Sequence, residues 1–194
     1  MAEQTREGPR GKPATRRTLL SRRDALSAEQ RHAASQAIGD RLHPILRGLA
    51  PGQIVALYAA KGSEVETHAI DRDARAHGLI VAYPRIAESR ALAFHRATRE
   101  ELVAARYGLR EPHEGAPVVE LAAIAMFVVP GVAFDRQGGR MGWGMGHYDA
   151  TLAQAATATR VGLGYECQLV DHVPLEPHDQ RLQMIITEVA TYVA

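Results

Sequence analysis

The chain has 194 residues, enough for one compact domain with a substantial buried core. Hydrophobic residues make up 46% and charged residues 23%, the balance of an ordinary folded protein, which argues against wholesale disorder. The formal charge of +1 excludes a nucleic-acid-coating protein, whose affinity would rest on many clustered cations.

A single cysteine, Cys167, allows neither an internal disulfide nor a cysteine zinc cluster and points to a reducing compartment. Lying between Glu166 and Gln168 without an activating base, it reads as a small packed side chain rather than a nucleophile. Thr15 to Leu20 looks superficially like a twin-arginine export signal, but its apolar run stops at Ser21-Arg22-Arg23-Asp24. The longest apolar stretch, Leu121 to Phe134, contains Pro130 and Gly131 and falls short of the roughly 20 residues that cross a bilayer. A cytoplasmic protein is expected, with neither nucleic acid nor membrane as partner, acting as a monomer.

Residues 1–11 carry Gly8, Pro9, Gly11 and many charges and are expected to form a flexible arm, with one folded domain over 12–194. From Pro13 the pattern turns helical through Leu19 and Leu20 toward Leu26. Ser27-Ala28-Glu29-Gln30 has capping-box spacing and opens a second helix whose apolar positions Ala34, Ile38, Leu42, Ile45 and Leu46 recur every three to four residues. Strands are expected at Ile54–Tyr58 and Leu79–Tyr83, the second stopped by Pro84, with a helix between them capped near Thr67 and ending at Gly78. That order predicts parallel pairing through a right-handed crossover.

A weaker strand follows at Ala91–His95, and Thr98-Arg99-Glu100-Glu101 has the composition to cap a short helix. Ala125–Val129 is continuously apolar, as a strand covered on both faces should be. A helix is expected from about His147, and strands at Arg160–Gly164 and Met184–Thr187. The fold class predicted is a single-domain three-layer α/β/α sandwich with a mainly parallel sheet.

The stretch Arg140-Met141-Gly142-Trp143-Gly144-Met145-Gly146-His147-Tyr148-Asp149 places glycine at alternate positions immediately before a helix. Such a backbone bends without side-chain bulk and can turn successive N–H groups toward phosphate oxygens. Arg140 would add a bidentate cation, and Asp149 is suited to a magnesium ion bridging phosphates. A tight turn that merely lets a strand and helix pack closely reads equally well from these residues alone. The pattern is neither a Walker A loop nor a dinucleotide fingerprint. Lys12 and Arg16, four residues apart, share one helix face and could approach the same polyphosphate, although solvated surface charge explains such a pair by itself. Asp179, on a loop after Pro177, is a second candidate for the magnesium side or an ordinary turn residue.

Taken together these segments resemble the 5-formyltetrahydrofolate cyclo-ligase family from about Lys12 to Thr187. The resemblance rests on Lys12 and Arg16, Arg22 with Leu26-Ser27, Glu64-Val65-Glu66-Thr67 and Val81-Ala82-Tyr83-Pro84-Arg85. It continues through Val129-Pro130-Gly131-Val132-Ala133-Phe134-Asp135, the Arg140–Asp149 loop, and Pro174 with His178-Asp179 before Ile185-Ile186-Thr187-Glu188. It implies ATP- and Mg²⁺-dependent conversion of 5-formyltetrahydrofolate to 5,10-methenyltetrahydrofolate. The formyl oxygen attacks the γ-phosphoryl group, and the neighbouring aryl nitrogen then closes the ring and expels phosphate. Chemistry of this kind needs positioning and charge stabilisation rather than an enzyme nucleophile.

By that resemblance Lys12, Arg16, Arg140, Gly142, Gly144, Met145, Gly146, His147 and Tyr148 would contact ATP, with Arg140 and Tyr148 as the catalytic residues. Asp149 and Asp179 would position Mg²⁺. Glu64 would take the donor-rich edge of the pterin, and Trp143, His147 and Tyr148 would border the folate. The family loop often reads Arg-x-Gly-x-Gly-Lys-Gly-Tyr-Tyr-Asp, so Met145 stands in the lysine place and His147 in the first tyrosine place. Losing that lysine removes a charge-assisted contact worth about 1.5–3 kcal/mol. Gln183 replaces an aspartate that many relatives carry. A non-catalytic or altered-specificity paralogue that binds reduced folate or nucleotide is the main alternative, and a sugar-phosphate isomerase or acyl-CoA-handling enzyme on a similar scaffold is a third.

Overall fold

The computed structural model describes residues 11–194, with side chains from Ala14 onward. The expected arm therefore lies outside the described residues, apart from Gly11, where the first helix begins. Helices α1 (Gly11–Asp24) and α2 (Ala28–Arg47) meet at the predicted capping box. There Ser27 Oγ accepts from the Gln30 backbone N–H at 3.1 Å, and the Gln30 side-chain oxygen accepts from the Ser27 N–H at 2.8 Å. The buried positions of α2, Ser35, Ile38, Leu42 and Leu46, keep the three-to-four spacing of a one-sided helix.

The remaining elements are β1 (Ile54–Ala56), α3 (His68–Ala76), β2 (Ile80–Arg85), β3 (Ala93–Arg96), β4 (Leu102–Ala104), β5 (Arg110–Pro112), β6 (Val118–Val119) and β7 (Ile124–Pro130). After these come β8 (Ala133–Phe134), β9 (Arg140–Met141), α4 (His147–Leu152), β10 (Thr159–Leu163), β11 (Met184–Ile186) and β12 (Thr191–Val193). The main sheet runs β12-β11-β10-β7-β1-β2-β3-β6. Its five central strands pair parallel, while β12, β3 and β6 add antiparallel edges.

Along β7 the side chains alternate between two cores. Met126 and Val128 join Val55, Val81 and Val161 beneath α2 and α3, where Ile38, Leu42, Ile70 and Ala74 are buried. Phe127 and Val129 join Ala56, Ala82, Phe94 and Ile185 on the other face, under Leu152 of α4 and Ala155 and Ala158 beyond it. The sheet is thus covered on both sides, as the three-layer α/β/α expectation requires, although the second cover is one short helix and the turn after it. Among the described residues no helix is long and apolar enough to cross a membrane.

From the centre, β1 leads outward to β2, while β7 leads the opposite way to β10 and β11. The connections therefore diverge between β1 and β7, opening a crevice at the carboxyl ends of these strands. The loops after β1, β2 and β7 all emptying there are what position the site.

Three local expectations give way. Pro84 does not stop its strand: β2 continues to Arg85, with Pro84 paired to Phe94 of β3. Pairing with β1 ends at Ala82, so a residue without an N–H sits on what is locally an edge. Thr98 to Glu101 opens no helix. The Glu101 carboxylate does accept from the Thr98 N–H at 2.7 Å, but the chain passes into β4, which pairs with β5 as a separate hairpin. Finally, β12 forms an antiparallel edge that carries no marked pattern in the sequence.

Candidate active site

The glycine loop is mounted on a small hairpin, β8 paired with β9. Asp135 at its turn is fully buried, and its carboxylate accepts from the backbone N–H groups of Gln137 at 3.0 Å, Gly139 at 2.8 Å and Val173 at 2.8 Å. Three such bonds fix the turn and with it the direction in which Arg140 leaves β9. Helix α1 docks against the same hairpin through Leu19, which packs with Val132, Ala133, Met141 and Val173. Spacing of three and seven residues puts Arg16, Leu19 and Arg23 on this one inner face.

Arg16 Nε donates to the Gly142 carbonyl at 2.9 Å, and its guanidinium lies against Gly144, where a Cβ would come within 3.3 Å of Nη2. Gly146 caps α4 in the left-handed conformation, φ 68°, and a Cβ there would lie 2.5 Å from Nη2 of Arg90. These two glycines let cations pass directly against the loop backbone. Arg90 also clasps it from the β2–β3 connection, with Nε donating to the Met145 carbonyl at 3.3 Å and its own carbonyl accepting from His147 Nδ1 at 2.7 Å.

Arg140 is almost completely buried. Its Nη2 donates to Asp149 Oδ1 at 3.1 Å, and its guanidinium carbon lies 5.6 Å from the centre of the Tyr148 ring. Asp149 Oδ1 accepts in addition from the Gln180 N–H at 3.2 Å, which draws the 176–180 turn alongside α4. Within that turn Asp179 Oδ2 accepts from the Glu176 N–H at 2.8 Å, with His178 Nε2 lying 3.8 Å from Asp179 Oδ1. The two carboxylates expected on the magnesium side thus belong to neighbouring segments. Lys12 has a described backbone in α1, but its side chain lies outside the described residues.

A mostly apolar cavity of about 490 Å³ opens between these elements. One side is the loop itself, Arg140 and Gly142 through Tyr148; the other is Tyr58, Lys61 and Glu64 after β1, with Ile86 and Leu92 between β2 and β3. Arg140, Gly142, Trp143, Gly144, Met145, Gly146, His147, Tyr148 and Glu64, named from the sequence, therefore face one space, and Arg16 reaches it through the loop. Asp149 and Asp179 stand behind Arg140 rather than among the lining residues.

Glu64 is the acidic feature of the cavity wall beside the loop. Burial pushes its carboxyl above the ordinary value of 4.5, against the opposing effects of the Lys61 backbone N–H, the charge of Arg23 and the Trp143 indole N–H. Burial, reinforced by the nearby Glu64 charge and opposed by Arg140, pushes the Tyr148 phenol well up, so that it remains a protonated donor. Trp143 and Met145 are 55% and 61% exposed, large apolar groups left mostly uncovered by the described residues.

Sequence reasoning did not find the rest of the wall. Tyr107, Leu109 and Glu111 come from the β4–β5 hairpin, a segment whose glycines and prolines read merely as loop. Tyr107 holds a left-handed backbone, φ 59°, at the hairpin tip, and its carbonyl accepts from the Lys61 ammonium. Arg90 and Arg23 likewise stand outside any sequence motif; a charged residue with no repeating partner carries no local signal.

A sequence model of the 5-formyltetrahydrofolate cyclo-ligase family matches residues 9–188. The 5-formyltetrahydrofolate cyclo-ligase of Mycolicibacterium smegmatis is 33% identical over 187 residues, covering 92% of this chain and 94% of that protein. The Escherichia coli enzyme of the same name is 29% identical over 178 residues, covering 87% and 96%. Among solved structures, the 5,10-methenyltetrahydrofolate synthetase of Aquifex aeolicus superposes with a TM-score of 0.81 at 26% identity, covering 94% of this chain and 92% of that one.

Proposed function

The chain belongs to the 5-formyltetrahydrofolate cyclo-ligase family, and from that membership we propose that it closes 5-formyltetrahydrofolate to 5,10-methenyltetrahydrofolate at the expense of ATP. The observation that carries the reading is a cavity that joins the glycine loop, with Arg140, Trp143 and Tyr148, to the half-buried carboxylate of Glu64. Glu64 takes the amino and N3–H donors of the pterin, and the uncovered face of Trp143 receives the flat ring system. The loop amides with Arg16, Arg140 and Lys12 hold the phosphates.

The formyl oxygen attacks the γ-phosphorus, the bond to the β-phosphate oxygen breaks, and ADP leaves. The aryl nitrogen then attacks the activated formyl carbon, loses its proton, and phosphate departs with the carbon–oxygen bond. Arg140 stabilises the charge that builds on the phosphoryl oxygens, and the protonated Tyr148 donates beside it. The chain's part is to align two substrates and exclude water.

Mg²⁺ suits the residues present. Among the described residues no group of three His, Cys, Asp or Glu side chains could hold an ion unaided. A magnesium ion carried by nucleotide needs one or two carboxylates besides phosphate and water oxygens. Asp149, with Oδ1 fixed by Arg140 and Gln180, keeps Oδ2 for such a role, and Asp179 stands on the adjoining turn. When bound, the ion supplies neutralisation of the phosphate charge. The same reading makes this a cytoplasmic, monomeric enzyme of small molecules, folded as one domain over residues 12–194.

Exposed Met145 in the lysine place favours a second reading, a paralogue that binds reduced folate or nucleotide with altered or no turnover. Mixing protein, 5-formyltetrahydrofolate and Mg-ATP and following methenyl absorbance separates the two. Absorbance that grows with ATP is expected. A folded protein that binds folate without producing it supports the paralogue.

A further inference from the structure

Resting on the folate reading of this cavity, we propose that Arg23 is a specificity-determining residue that reads the 4-oxo group of the pterin through an N–H left unpaired beside Glu64. Arg23 lies on the inner face of α1, seven residues beyond Arg16, and is 3% exposed, whereas its neighbour Arg22 is exposed. Its Nε donates to Ser63 Oγ at 2.8 Å, and the Ser63 hydroxyl donates onward to Asp24. Its guanidinium carbon sits 5.9 Å from the centre of the ring of Trp143, which lines the cavity. Nη1 is fully buried and has no hydrogen-bond partner among the described residues.

A buried guanidinium N–H without an acceptor is costly, and folded proteins rarely leave one so unless another molecule completes it. The recess that Arg23 borders shares Tyr58, Glu64 and Pro130 with the main cavity. A ligand seated in the cavity against Tyr58 and Glu64 lies beside this N–H and can bring it an acceptor.

Ligand chemistry says which acceptor that is. The pyrimidine edge of a pterin displays a 2-amino group and an N3–H side by side, both donors, followed directly by the 4-oxo oxygen. A carboxylate matches the two donors and leaves the oxygen in want of a donor. Glu64 and Arg23, which border the same recess, form the complementary acceptor–acceptor–donor set. The positive charge of Arg23 also works against the burial of Glu64, keeping the carboxylate in the form that accepts.

The test uses the full chain and two ligands, folic acid and its 4-amino-4-deoxy analogue. Trp143, the single tryptophan, reports occupancy by fluorescence, and calorimetry checks each dissociation constant independently. The wild type is expected to prefer the 4-oxo ligand by about tenfold to a hundredfold, the span of a charge-assisted hydrogen bond. The analogue also alters N3, which Glu64 reads, so the comparison of Arg23→Met with wild type on the same ligand pair isolates the guanidinium: the preference should shrink by about tenfold or more. Arg23→Lys, keeping charge and a donor, should retain part of it. Equal affinity in the wild type, or a preference undiminished in Arg23→Met, overturns the proposal. Should Arg23→Met fail to fold, the wild-type pair and Arg23→Lys still decide. A wild type that binds neither folic acid nor 5-formyltetrahydrofolate refutes the folate reading itself, a distinct result.

Discussion

The guanidinium of Arg140 donates to Oδ1 of Asp149 at 3.1 Å, tying the first residue of the glycine loop to the first turn of α4. Both side chains are largely buried, so neither charge is screened by water when the other is removed. The pair therefore sets the loop's closure and its charge at once.

Asp149→Asn should leave Arg140 with a buried, uncompensated charge. Removing one partner of such a pair costs about 3–5 kcal/mol where burial is complete, so a fall of about 2–3 kcal/mol in unfolding free energy is expected. Turnover should drop at least about a hundredfold, and the response to Mg²⁺ should flatten. Adding Arg140→Met to this variant should recover stability but not turnover. Chemical denaturation together with the absorbance assay measures both, and near-normal turnover in Asp149→Asn would remove its metal role.

Met145→Lys restores a cation where the loop faces the cavity. The KM for ATP should fall by about tenfold, a charge-assisted bond's worth, with the KM for folate unchanged. An unchanged ATP KM would mean that Arg16 and Arg90, both against the loop backbone, already satisfy the phosphates.

Glu64 gives a pH signature in each of two observables. Burial raises its carboxyl, so the native state holds this proton more tightly than the unfolded chain. In the window from 4.5 up to that raised value, the ligand-free protein should lose stability as pH rises. Pterin affinity should move the opposite way, present above the window and lost as pH falls through it. Glu64→Gln should flatten both profiles, raise the melting temperature at neutral pH and weaken folate binding by about tenfold or more. Melting curves and fluorescence titrations across the acid range test this, and an unaltered stability profile in Glu64→Gln would contradict it.

Gly138 carries the hairpin beneath the loop. Its φ is +81°, and a Cβ would lie 2.1 Å from the Leu182 carbonyl oxygen, a backbone atom held by the Leu182 N–H bond to the Gly138 carbonyl at 2.9 Å. Gly138→Ala should cost at least about 2 kcal/mol and lower the melting temperature by about 4–8 °C. A melting temperature within a degree of wild type would show that the hairpin gives way freely.

What could be read in the sequence was local. The continuous apolar run of β7, the Ser27 capping box and the alternating glycines each carry their cause within a few neighbouring residues. The loop residues that line the cavity were marked by the glycine pattern together with the family resemblance, the pattern alone reading equally well as a tight turn. Pro84 misled because its tolerance depends on β1 ending at Ala82, a fact of sheet pairing. The Thr98–Glu101 cap formed its bond and yet opened no helix, because pairing of β4 with β5 decided the following residues. Arg23 and Arg90 escaped notice since their roles arise from packing against residues 120 and 55 positions away, Trp143 and Met145. Asp135 stood in a recognised motif, but its task as the buckle of the hairpin turn is visible through its three backbone donors.

The most direct measurement is ATP-dependent formation of 5,10-methenyltetrahydrofolate by the purified chain, followed by absorbance with ADP release counted in parallel. One ADP for each methenyl product, with no product when ATP is omitted, is the predicted result. A folded protein that binds 5-formyltetrahydrofolate and Mg-ATP and yet yields neither ADP nor methenyl product would contradict the account.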